Sequence, residues 1–232
     1  MNPAPSSNRR GLVRSFGPLL AMVGLVAGVG CDTFDSQLSE LTHPLAPPWK
    51  PGNVHRPAAS LPASLRRVAV LPLAATEGQE LQSGREMLTE SPGQVLTRSG
   101  LFEVVTISER QLHQWTGRRS LAADETLPRN LLVKVREETG CDGVLFARLT
   151  RFQSYPPTVV GWNLQLVAVP GAEIIWGVDE VADARNPGVV SGMQQLFRQR
   201  GVTELEARQL AASPRRLAEY SLETLFKTLP PR

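Results

Sequence analysis

From residue 66 onward, apolar positions fall into short runs and alternations separated by turn residues. Arg67-Val-Ala-Val-Leu-Pro-Leu73 is a β-branched apolar run closed by Pro72, and it predicts a buried strand. Leu81, Leu88 and Val95 then recur every seven residues, the spacing of one apolar helix face. Ser91-Pro92 predicts a break in that helix, with Ser91 as the cap of a new start and Pro92 at its first position, and Ser99-Gly100 predicts a stop. Phe102–Ile107 reads as a second strand, and Ser108 as the cap of a short helix. Residues 116–127 are polar and loop-like, after which Leu131, Leu132 and Val135 mark a helix that Gly140 ends. Three strands follow, at Asp142–Tyr155, Val159–Val169 and Ala172–Ala184. In the second of these, Trp162, Leu164 and Leu166 alternate with Asn163 and Gln165; in the third, Ile174, Trp176 and Val178 share a face. Both tryptophans are therefore expected in the core. The three strands predict an antiparallel meander with one covered and one wetter face. Asn186-Pro187 and Ser213-Pro214 are cap-plus-proline helix starts, the second helix running to about Thr228. The order β-α-β-α-α-β-β-β with two C-terminal helices predicts an α+β fold. Its mixed sheet has about five strands, with helices mainly on one face.

Ahead of this pattern the chain changes character. Arg9, Arg10 and Arg14 precede the uncharged stretch Pro18–Gly30, and Cys31 follows at once. A basic start, a short apolar core and small residues before a cut site predict a secretory signal over residues 1–30, too short to read as a membrane span. Gly28-Val-Gly-Cys31 resembles the lipobox of bacterial lipoproteins, which implies cleavage before Cys31 and acylation of its thiol and new amine. The position of Gly28 is one where that pattern prefers Leu. Asp32 resembles the inner-membrane retention signal of enteric bacteria, so inner and outer membranes both stay open, with the outer favoured. Residues 31–65 are then expected to be the lipidated Cys and a Pro-rich tether, with prolines at 44, 47, 48, 51, 57 and 62. Trp49 in this tether is open to two readings: contact with the lipid interface, or docking on the domain. The folded part is expected at 66–185, with a separate C-terminal helical segment at 186–232.

Charge and candidate chemistry narrow the function. The chain has 25 Lys+Arg and 22 Asp+Glu; without the three arginines of residues 1–30 the balance is 22 to 22, so the body carries no surplus of cations for nucleic acid. With Cys31 acylated, Cys141 has no partner for a disulfide and reads as a small buried residue. His43, His55 and His113 show no metal-ligand spacing. Asp179 and Glu180 alternate along a strand toward opposite faces, which with Asp183 reads as a solvated edge. Arg118-Arg119 and Arg215-Arg216 are basic pairs; the second, in the first turn of a helix, is a candidate contact for an acidic partner or anionic lipid. No nucleophile–base–orienter set emerges among the polar residues, Asp142 and His113 included, so no enzyme, cofactor or metal is expected.

Four motifs in order, Arg67-Val-Ala-Val-Leu-Pro-Leu, Gly100-Leu-Phe-Glu-Val-Val, Gly140-Cys-Asp-Gly-Val-Leu-Phe-Ala-Arg-Leu-Thr and Ala172-Glu-Ile-Ile-Trp, resemble a periplasmic domain. It is shared by curli-secretion-channel lipoproteins, lipoprotein activators of penicillin-binding proteins and the N-terminal domain of the Tol-system β-propeller protein. The resemblance spans about residues 66–184 and implies a non-enzymatic assembly and interaction module. Extra strand pairs of the kind that build a barrel pore in the secretion channel are absent from the pattern. The expectation is an envelope lipoprotein, held to membrane lipid by Cys31 and facing the periplasm, that engages another envelope protein. The alternative is a structural subunit of an oligomeric envelope or secretion complex; the sequence leaves oligomeric state and partner open.

Overall fold

The computed structural model describes residues 46–169, 171–203 and 212–232. In chain order its elements are β1 (Val54–His55), β2 (Arg67–Val70), β3 (Ala74–Ala75), α1 (Gln79–Leu88), α2 (Ser91–Arg98), β4 (Glu103–Thr106), α3 (Glu109–Thr116), α4 (Leu131–Thr139), β5 (Gly143–Gln153), β6 (Val159–Ala168), β7 (Ile174–Asp183), α5 (Pro187–Gln199) and α6 (Pro214–Phe226). One mixed sheet runs β1-β7-β6-β5-β2-β4, with β3 also on β5. β2 lies parallel to both β4 and β5, while β5, β6 and β7 form the expected antiparallel meander. The α+β class and mixed sheet agree with the sequence pattern, and β1 and β3, two residues each, add to the five longer strands.

Local signals explain most boundaries. Ser108 Oγ accepts from Gln111 N at 3.2 Å and starts α3, and Asn186 Oδ1 accepts from Gly188 N at 2.8 Å ahead of Pro187 in α5. Gly140, at φ 66°, closes α4 in the left-handed conformation that favours glycine. The α1–α2 break falls where Ser91-Pro92 predicts it, but Ser91 is the first residue of the helix and Glu90 occupies the cap position.

Four helices, α1, α2, α5 and α6, pack on one face of the sheet, where Leu88, Leu96, Phe197, Leu217 and Leu222 meet Leu149, Trp162, Leu164 and Trp176. On the other face, α3 and α4 bury Leu112, Leu131 and Val135 against Ala69, Val144, Phe146 and Val167. Trp162 and Trp176 are fully buried. Their Nε1 atoms donate to Ser221 Oγ and Thr228 Oγ1, both at 2.9 Å, so neither indole N–H is stranded in the core. Gly192 on α5 faces the hydroxyl of Tyr220 on α6 so closely that a Cβ there would collide with it, which lets the two helices approach.

Three expectations are corrected. The tether read over residues 31–65 does not extend through 46–65. Ala46 O accepts from Ser191 Oγ at 2.5 Å, Trp49 N donates to Gly188 O at 2.9 Å, and the Trp49 ring lies 6.4 Å from that of Tyr220. Trp49 thus docks on the domain. Glu180 Oε1 accepts from the backbone N–H groups of Gly52 and Asn53, β1 pairs with β7, and Leu61 and Leu65 are buried. Prolines keep this strap extended, and the domain supplies acceptors for the N–H groups of Trp49, Gly52, Asn53 and Leu61. Second, the boundary at 185/186 disappears: α5 and α6 share one core with the sheet, and the described residues from 46 onward form one compact unit. Third, Ile174 does not share a face with Trp176. A register shift opposite Leu166/Val167 places Ile175 in the core and leaves Ile174 42% exposed on the other side.

Burial of the two indoles sets a stability test. Trp162→Ala and Trp176→Ala should each destabilise the fold by about 3–5 kcal/mol in chemical denaturation. Trp162→Phe should cost less, because Ser221 Oγ keeps its own bond to Ala218 O at 2.9 Å. Variants that melt like the parent would remove these rings from the core.

Candidate interaction surface

The meander that buries Trp162, Leu164 and Leu166 must present Asn163 and Gln165 on its opposite face. Pairing across the strands builds two rows there. Arg148, Asn163 and Asp179 stand abreast on β5, β6 and β7, and Phe146, Gln165, Gly177 and His55 stand abreast on β5, β6, β7 and β1. The α3–α4 cover reaches Phe146 and Val167 and stops, leaving the Asn163, Gln165 and Asp179 side of this face open. Gly177 supplies no side chain and floors a shallow depression of about 230 Å³, lined by Asn53, His55, Asn163, Gln165 and Asp179, with Ile174 at its side.

Hydrogen bonding fixes part of the surface and leaves part available. Asn163 Nδ2 donates to Asp179 Oδ2 at 3.1 Å, and Arg148 holds Asp124 at 2.7 Å. Arg148 Nε and Thr150 Oγ1 are buried on the same strand without a hydrogen-bond partner. Gly161, across from Thr150 on β6, has no room for a side chain: a Cβ would stand 2.6 Å from Thr150 Oγ1. The amides of Asn163 and Gln165 carry both donors and acceptors, so the open face can bind polar groups of either kind.

The other residues singled out from sequence are dispersed by the fold. Asp142 Oδ2 accepts from Arg66 N and Arg67 N, both at 3.2 Å, and ties β2 to the start of β5. Glu180 fastens the strap. Asp183 pairs with Arg185 at 2.5 Å, and hydrogen bonds from Arg185 hold its carboxyl below the usual carboxylate range. His113 is exposed on α3. Cys141 is buried, and burial raises its thiol above the ordinary range. Arg118 pairs with Glu125 at 2.7 Å, while Arg119 is exposed. Arg216 pairs with Glu219 at 2.9 Å and lies 5.7 Å over the Phe197 ring, so both members of that basic pair are exposed but Arg216 is already engaged. Cys31 lies outside the described residues. Among the described residues, no group of three His, Cys, Asp or Glu side chains is placed to hold a metal ion, and no helix is long and apolar enough to cross a membrane. Sequence reading missed His55, Asn53 and Arg148 as members of the open face. Arg148 sits in the polar phase of β5, a signal the alternation carried; His55 and Asn53 arrive only through the two-residue strand β1.

No protein-family model and no curated protein matches the chain. Solved structures similar to it include the dodecamer of PelC from Paraburkholderia phytofirmans, 13% identical over 75% of this chain and 98% of that one, with a TM-score of 0.41. Lipoprotein GNA1162 from Neisseria meningitidis is 18% identical over 59% of this chain and 98% of that one, TM-score 0.40. The C-terminal domain of LpoB from Escherichia coli is 19% identical over 51% and 82%, TM-score 0.32. At such identities and TM-scores, function rests on this chain's own residues.

Electrostatics around α6 give a pH test. Burial pushes the Glu219 carboxyl up, but Arg216, Arg98 and Arg200, at 2.9, 2.9 and 3.0 Å, outweigh it and the net shift is downward. A lowered carboxylate contributes stability that is present above its unfolded-state pKa and lost as pH falls through the folded value. Glu219→Gln should therefore flatten the acid limb of the stability profile and leave less to lose below about pH 4. An unchanged acid limb would show that the three-arginine cluster does not hold α6.

Proposed function

We propose that this chain is a bacterial envelope lipoprotein, acylated on Cys31 and facing the periplasm, whose domain is a non-enzymatic protein-interaction module. The open half-face of the meander is the observation that supports this most. Asn163, Gln165, Asp179 and His55 stand on a rigid sheet at the surface, and the neighbouring carboxylates are engaged in structural bonds. A partner of matching polarity would gain hydrogen bonds there without reorganising the domain. Residues 1–30 serve as the export signal in this reading, and residues 31–45 as the link to the membrane.

A second reading, a structural subunit of an oligomeric envelope complex, draws on the same face. Its amides and its Asp179 and Arg148 pair donors with acceptors, so a second copy of the chain is a chemically suitable partner.

Two measurements test the proposal. Cys31→Ser should abolish incorporation of labelled fatty acid, and the protein should no longer partition with detergent. Asn163→Lys combined with Asp179→Lys should abolish crosslinks to the partner in native envelopes while the melting temperature stays near that of the parent. Crosslinking that survives in a folded double variant would move the contact away from this face. A purified chain running at several times its monomer mass, and returning to monomer in the double variant, would favour the second reading.

A further inference from the structure

The strap determines where the chain enters the domain. β7 runs toward Asp183, β1 runs antiparallel to it, and Ala46 and Trp49 bond to Ser191 and Gly188 at the start of α5. The β5–β6 hairpin turns at the same end of the sheet, because Gln153 pairs with Val159, Val159 with Asp183, and Ala184 N donates to Thr158 O at 3.0 Å. At the tip of that hairpin Tyr155 is 60% exposed, followed by exposed Pro156 and Pro157. Gln153 Nε2 braces the tip by donating to Tyr155 O at 3.2 Å and Pro157 O at 2.6 Å.

Cations outnumber carboxylates at this end. Lys50, Arg151 and Arg185 are exposed, and residues 46–51, 151–158 and 184–190 contain no Asp or Glu. Asp183 is paired with Arg185, and Arg151 is close enough to act on the same carboxylate. Glu80 of α1, beside Ser154, bounds the patch on its far side. A projecting tyrosine flanked by cations suits the interface of an anionic bilayer, where the ring sits at headgroup level and each Lys or Arg adds attraction.

Only fourteen residues, 32–45, separate Cys31 from Ala46. Whatever their conformation they reach at most about 50 Å, roughly the width of a domain of this size. A tether ending at residue 65 would reach about twice as far. We infer that the entry end of the domain, with Tyr155 at the hairpin tip and Lys50, Arg151 and Arg185 around it, rests on the anionic lipid surface to which the chain is anchored. The inference builds on the acylation of Cys31.

The test uses the full chain in nanodiscs of brominated phosphatidylglycerol. A fluorophore is attached either through Tyr155→Cys, or through Ser64→Cys beside the start of β5, about 35 Å away along that strand. The mass of the labelled protein reports separately whether Cys31 is acylated. Lipid quenching is expected at position 155 and absent at position 64. Each cation reversed in Lys50→Glu, Arg151→Glu and Arg185→Glu should weaken the contact by at least ~5-fold, and the triple variant should lose quenching while it stays in the disc. Equal quenching at both positions, or none at 155, overturns the inference, whether the chain is held by its acyl chains or by an uncut N-terminal segment. Should mass show no acylation and the chain leave the disc, the same labels are read against free vesicles of that lipid, where absence of quenching at 155 is equally decisive. Quenching at 155 without acylation would refute the anchor and leave the lipid contact standing.

Discussion

Two buried indoles organise this domain. Trp162 on β6 and Trp176 on β7 bring large apolar area into the core, but each also brings an N–H that cannot be left without an acceptor. Ser221 and Thr228, within α6 and just beyond its end, provide those acceptors. Satisfying both fixes the rotation and height of α6 over the sheet. With α6 so placed, Tyr220 meets the glycine side of α5 and the ring of Trp49, and Glu219 meets Arg98 and Arg200. The strap, the α5–α6 contact and the ionic cluster all follow from the position of one helix.

The same strands explain what the domain displays. A meander with one face committed to tryptophan and leucine carries its amides on the other. The second face is buried only where β2 and the start of β5 bring Ala69, Val144 and Phe146 under α3 and α4. Beyond Phe146 the alternation turns polar, with Arg148, Asn163 and Asp179. An apolar helix gains little from covering such a surface, since the amides and the carboxylate would have to give up water. The open half-face is therefore a consequence of sequence on the strands themselves, and the bulge that turns Ile174 outward adds one apolar side chain to it.

Much of this was legible in the sequence. Period-two alternation placed the tryptophans inside and the amides outside, and Ser108, Gly140 and Asn186 marked helix ends at the residues where the backbone needs them. What escaped reading lacked a local signal. A strand of two residues has no period, so β1 and β3 were invisible. The bulge changes register by one residue and flips Ile174 without altering composition. The C-terminal helices read as separate because their apolar faces show only that they pack, not on what. For the candidate site, Asn163, Gln165 and Asp179 were in view, whereas His55 joins them through a pairing more than a hundred residues away in the chain.

The strap shows why a Pro-rich stretch need not be a free tether. Proline removes backbone donors, so such a segment has few N–H groups to satisfy and lies extended at little cost. Of those that remain, Trp49, Gly52 and Asn53 each find an acceptor on the domain: the carbonyl of Gly188 and the carboxylate of Glu180. The segment also covers part of the β7 edge, which would otherwise be an exposed template for strand pairing. Glu180 thus acts on two levels. Its charge discourages pairing at the edge, and its oxygen holds the segment that covers it. Fixing residues 46–55 turns part of the presumed spacer into a structural element, and with the spacer shortened the domain gains a defined end at which the chain arrives. Composition described how that segment behaves alone; the edge beside it decided what it does.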